Sequence, residues 1–129
     1  MLKKRRIVLE YVFRTSPDLL FEFISSPSGL SEWFADNVNV SGDIYTFFWN
    51  GSQQQAKMLN FREGKSISFQ WLDKEEFAFF ELRIEKNELT DDISLIITDY
   101  ADSEEDKEAF SMIWESQIHK LMVLIGIKT

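Results

Sequence analysis

Cysteine is absent from the 129 residues, which excludes disulfides and thiolate chemistry. Histidine occurs once, at His119, and a lone imidazole without cysteine partners cannot build a His-rich metal site. The sequence has no HExxH pair, no Gly-rich phosphate loop and no Gly-x-Ser-x-Gly elbow. Its acids Glu22, Asp99 and Glu115 define no spacing of a carboxylate pair. Neither a metal nor an organic cofactor is therefore expected. The longest apolar run, Leu121 to Ile125, is far too short to span a bilayer. The basic start MLKKRR imitates the head of a signal peptide, but Glu10 and Arg14 interrupt the apolar stretch behind it. The expected setting is the cytoplasm.

Positive charge is also short. The formal net charge is −8, and Glu85 to Glu108 holds ten acids against Lys86 and Lys107 alone. Such a balance repels nucleic acid and anionic membranes. The basic cluster at Lys3 to Arg6 reads as a solvated strand end rather than a nucleic-acid arm.

Aromatic side chains are what the chain has in excess, with twelve Phe and four Trp. Large rings fill a core, and they also line cavities where sheet and helix are held apart. A chain of this length reads as one domain, residues 1–129.

Proline and glycine are few, two and five, so each marks a particular place. Residues 6 to 13 alternate, with Ile7, Leu9, Tyr11 and Phe13 on one face of a strand. Ser16 is a good N-cap and Pro17 suits the first helical position. Leu19, Leu20, Phe23 and Ile24 form that helix's apolar face. Pro27 and Gly29 break it, and Leu30, Trp33 and Phe34 mark a second, shorter helix. Strands follow around Val38 to Val40, Ile44 to Trp49, Gln53 to Arg62, Ser66 to Leu72, Phe77 to Glu85 and Ile93 to Tyr100. Asn50-Gly51 is a strong hairpin signal. Ser103 with Asp106 approximates a capping box. Phe110, Ile113, Trp114, Gln117, Ile118, Leu121, Leu124 and Ile125 then make a helical stripe, closed by Gly126. This predicts a helix of about 22 residues, roughly 33 Å long, laid against an antiparallel meander.

The order of elements, together with Ser16-Pro17, Leu20-Phe21, Pro27, Leu30, Trp33-Phe34, Gly42, Tyr45 to Trp49, Ile67 to Trp71, Trp114 and Leu121, resembles the START-like superfamily. Its helix-grip fold is shared by birch-pollen-allergen-like, polyketide-cyclase-like and heat-shock-ATPase-activator-like proteins. The likeness is strongest to short bacterial members related to the C-terminal domain of that activator. It implies an α+β fold: a curved antiparallel sheet of six or seven strands around a long C-terminal helix, with two short helices after the first strand. It also implies a cavity between that helix and the sheet.

Trp33, Phe34, Phe48 (or its neighbour Trp49), Trp71, Phe80, Trp114, Gln117 and Ile118 are the candidate cavity lining. Gln117 and Tyr45 are the polar groups that would orient a ligand. In strand six, Ala78, Phe80, Leu82 and Ile84 are the better inward face, which leaves Glu81 and Arg83 as a solvated charge pair. His119 reads as a surface or half-buried helix residue. The expected function is non-catalytic binding of a small hydrophobic molecule, lipid-like or polycyclic. Burying around 300 Å² of its surface would contribute about 7 kcal/mol before ordering costs. The alternatives are a protein-interaction module using the acidic strip from Asp99 to Glu108, and a cyclase- or aromatase-like enzyme. The same rings could instead close the cavity altogether. Phe77 and Phe79 offer a homodimer contact.

Overall fold

The computed structural model describes residues 5–72 and 78–126. Seven strands form one antiparallel sheet: β1 (Arg5–Phe13), β2 (Asn37–Ser41), β3 (Ile44–Trp49), β4 (Ser52–Arg62), β5 (Ser66–Trp71), β6 (Phe79–Lys86) and β7 (Ile93–Ala101). Strands β2 to β7 run as a meander, and β1 joins at the far side of β7. The two edges, β1 and β2, are thus bridged by the pair α1 (Pro17–Ser25) and α2 (Pro27–Trp33). Helix α3 (Asp106–Leu121) follows β7 and contacts β1, β7 and α2.

Strand parity decides what is buried. Ile7 and Phe13, Tyr45 and Phe47, Ile67 and Phe69, Phe80 and Leu82, and Leu95 and Ile97 all point inward and are buried. The alternate residues Arg83 and Glu81 lie on the outer face, where Arg83 pairs with Glu81 at 3.9 Å and Glu85 at 3.2 Å. The turns follow the local chemistry. Asn50 and Gly51 have φ of 44° and 85°, the double left-handed geometry of a tight hairpin.

The helix pair turns on Ser26, which serves two helices. Its backbone N–H closes the end of α1 on the Glu22 carbonyl, and its hydroxyl accepts the Gly29 N–H at 2.9 Å to cap α2. Ser16 caps α1 by accepting from the Leu19 N–H at 3.1 Å. Pro27 breaks the first helix by opening the second. Gly29 breaks neither; it sits inside α2, so close to α1 that a Cβ would collide with the Glu22 carbonyl oxygen and the Phe23 Cα.

Three expectations shift. In α1, Phe21 is buried and Leu19 is 42% exposed, because the helix rolls Phe21 onto Phe61 in an edge-to-face contact at 5.4 Å. Helix α3 has 16 residues, about 24 Å, and the helical path continues beyond it as a π turn through Met122–Gly126, so the run keeps close to the expected length. Its buried line is narrow: Trp114, Ile118 and Leu121 are buried, while Ile113 is 61% exposed and Leu124 is also exposed. At the start of α3 the Ser103 hydroxyl accepts the Asp106 N–H at 3.3 Å and donates to the Asp106 carboxylate. That is only half a capping box, since the carboxylate does not return to the backbone N–H of Ser103.

Candidate functional site

The aromatic residues are not interchangeable core filler, because three of them spend their polar atoms on helix ends. Trp33 Nε1 donates to the Phe23 carbonyl at 2.8 Å. The Tyr45 hydroxyl donates to the Ser25 carbonyl at 3.1 Å, and burial pushes its pKa above the usual 10. Trp49 Nε1 and Gln117 Nε2 both donate to the Phe34 carbonyl, each at 2.8 Å. The last carbonyls of a helix have no partner within it. Here side chains from β3, α2 and α3 supply those partners and fix both short helices to the rest of the fold. Tyr45 and Gln117 therefore use these donors in holding α1 and α2.

Phe34 is the hub of the ring network. Its centroid lies 4.9 Å from Phe47, 5.5 Å from Trp49, 5.6 Å from Phe80 and 5.7 Å from Trp114. Phe47, Phe69 and Phe80 close the centre of the sheet completely. Space remains towards the first half of α3. There a pocket of about 180 Å³ is lined by Phe34, Trp49, Gln54, Trp71, Phe80, Asp99, Phe110, Ile113, Trp114 and Gln117. Exposed Ile113 stands at its mouth.

The eight sequence candidates divide. Phe34, Trp71, Phe80, Trp114 and Gln117 meet around this pocket. Trp33 and Ile118 are 2% and 1% exposed and belong to the packed core; Trp33 also borders a polar groove beside α2. Phe48 is out of phase: Phe47 and Trp49 point inward, so Phe48 lies on the opposite face of β3. Trp49 takes the place expected of it.

Asp99, which the sequence grouped with scattered acids and an exposed acidic strip, is instead part of the pocket wall. It follows Leu95 and Ile97 at a spacing of two, so it shares their inward face, and it lies where that face meets the pocket. Its Oδ2 accepts the Trp114 Nε1–H at 2.7 Å, and its Oδ1 accepts the Tyr100 N–H at 2.7 Å. The parity of β7 carried that signal; a search for paired acids could not find it. His119 is exposed on α3. Among the described residues no group of acids and histidine is placed to hold a metal, and no helix is long and apolar enough to cross a membrane. Phe77 lies outside the described residues; Phe79 packs against Tyr100 on the outer face in a tilted contact, ring centroids 4.7 Å apart.

No curated protein matches the chain. Among solved structures, it is similar to the solution NMR structure of BfR322 from Bacteroides fragilis. The two share 36% identity over 99% of this chain and 96% of that one, with a TM-score of 0.69. The fold is also that of the Aha1 dimer from Colwellia psychrerythraea (15% identity, 94% and 93% covered, TM-score 0.73). CalU16 from Micromonospora echinospora shares it too (17% identity, 93% and 75% covered, TM-score 0.73). The description START-like superfamily domain matches residues 1–127. With a sheet closed around Phe34 and a helix laid across its mouth, this chain belongs to the START-like superfamily.

Proposed function

We propose that this protein binds a small, mainly apolar molecule in the pocket beside the first half of α3, without transforming it. The observation that carries the reading is the pocket itself, about 180 Å³ walled by rings from α2, β3, β5, β6 and α3. That volume exceeds the roughly 150 Å³ of an apolar cavity able to take benzene, so it suits one or two rings. A longer lipid or a larger polycycle would have to extend past Ile113 into solvent. Asp99 is the one ionisable residue among the described lining residues, and acid–base catalysis with a proton donor and acceptor on either side of a substrate finds no second group there. The acidic strip is a weaker basis for function. Asp99 turns inward, and Glu104 is held by Arg5 at 3.4 Å and Lys107 at 3.6 Å.

A two-ring ligand seated with one edge in solvent buries about 200 Å² of apolar surface, worth about 5 kcal/mol before ordering costs. Affinity in the range of about 0.1 to 1 mM follows, weaker than a fully enclosing cavity would give. Titration with 1-naphthalenemethanol, followed by the indole N–H signals in a 15N–1H spectrum, tests this. Trp49, Trp71 and Trp114 should shift with saturation while Trp33 stays still. Ile113→Trp, which fills the mouth at an exposed position, should abolish the shifts. An unresponsive spectrum at millimolar ligand would overturn the reading in favour of the protein-interaction module.

A further inference from the structure

We propose that the pocket recognises a neutral carbonyl oxygen carried on a one- or two-ring ligand, held between the indole N–H of Trp71 and the side-chain amide of Gln54. The inference rests on the binding reading above and names its ligand class. The fold leaves these two polar groups of the wall without a partner. Trp33, Trp49 and Trp114 each donate Nε1–H to a protein acceptor, at 2.8, 2.8 and 2.7 Å. The half-buried Trp71 ring packs against Phe47, Trp49 and Phe80, yet its Nε1–H meets no acceptor among the described residues. A tryptophan N–H in such a setting normally has one. Gln54 is half-buried on the same wall, and its side-chain amide is also unbonded among the described residues. The other polar side chains of the wall are engaged. Gln117 donates to the Phe34 carbonyl, and Asp99 accepts from Trp114 and from the Tyr100 N–H.

The two groups lie together. Trp71 on β5 stands opposite Ala56 on β4, and Gln54 is two residues from Ala56 on the same inner face. Diagonal neighbours of this kind are roughly 7–8 Å apart at the backbone, a gap that long side chains bridge. An indole N–H can only donate, and the Gln54 amide supplies a second donor. One carbonyl oxygen, with two lone pairs, meets both. An ammonium brings donors alone, which Trp71 cannot receive. A carboxylate or phosphate would find only neutral donors here and would approach a chain of net charge −8. A neutral oxygen acceptor fits on both counts.

1-Indanone, 1-indanol and indane share one bicyclic frame and differ at one carbon. Each is titrated into the unaltered protein with the indole signals as readout. Indanone should move the Trp71 indole proton downfield and bind at least fivefold tighter than indanol, whose oxygen must also place its own proton. Indane should perturb the indoles without that downfield movement. Gln54→Leu should lower the ratio of indanone to indane affinity at least fivefold. Indanol binding as tightly as indanone, no downfield movement of Trp71, or an unchanged ratio in the variant overturns the carbonyl inference while the apolar pocket stands. If none of the three compounds moves Trp49, Trp71 or Trp114, the binding reading falls and the inference falls with it.

Discussion

Trp114 on α3 donates its indole N–H to the Asp99 carboxylate on β7 at 2.7 Å, a side-chain bond by which the buried line of the helix grips a charged group of the sheet. The indole is 5% exposed, so its ring and its N–H contribute separately. Trp114→Phe keeps most of the ring but leaves the acid short of a donor, and should cost about 1–3 kcal/mol. Trp114→Ala also opens a cavity and should cost about 3–5 kcal/mol. Urea denaturation of both variants reads the split. A neutral Phe variant would show that the bond does not hold the helix.

Gly29 reverses an ordinary rule. Alanine in place of glycine within a helix usually stabilises by about 1 kcal/mol. Here the added Cβ meets backbone atoms of α1, the Glu22 oxygen and the Phe23 Cα, and backbone cannot swing aside like a side-chain tip. Gly29→Ala should therefore destabilise by about 1–3 kcal/mol, as overpacking does. Thermal melting gives the sign directly, and a raised Tm would mean that the two helices part without cost.

Gln117 bonds the Phe34 carbonyl across 83 positions of sequence. Gln117→Glu sets an acceptor against that carbonyl and should lose about 1–3 kcal/mol at neutral pH. Gln117→Leu should lose less, because it brings no charge. Equilibrium denaturation at pH 7 ranks them, and equal losses would exclude the electrostatic clash.

Tyr45 and Tyr11 set an alkaline limit. The pKa of each is raised above 10, Tyr45 by burial and Tyr11 by burial and then by the charge of Glu115. The stability gained by keeping a phenol neutral is complete below about pH 10 and is lost as pH rises through the folded-state value. Tyr45→Phe should cost about 1 kcal/mol at pH 8, through the lost bond to Ser25. The gap between variant and parent should narrow above pH 10. Melting temperatures across that range test it, and a gap independent of pH would show that the Tyr45 hydroxyl does not ionise with a raised pKa.

Much of the fold is legible in the residues because strand parity is a local property. Phe80, Leu82 and Ile84 against Glu81 and Arg83 state their own orientation, and Asn50-Gly51 states its turn. The roll of α1 is not local: Phe21 goes in and Leu19 out because of Phe61, forty positions away. The width of the α3 stripe depends on how much of the sheet the helix can reach. The site was legible in part. Aromatic richness marked a pocket, yet Phe48 and Trp49 differ only by phase. The engagement of Gln117 and Tyr45 depends on carbonyls of other helices, which no spacing encodes. Asp99 could be read from the alternation of β7, once each position is asked which way it faces rather than which acids come in pairs.

The Phe34 carbonyl takes a hydrogen bond from Trp49 and another from Gln117, and all three residues border the pocket. That makes one wall of the chamber a strut. To make room by swinging Trp49 or Gln117 outward is to unfasten the end of α2 as well, so growth in that direction is paid for by undocking a helix. The opposite wall, Phe110 and exposed Ile113, carries no such tie among the described hydrogen bonds. The pocket is therefore braced by a hydrogen-bonded strut on one side and left untied on the other.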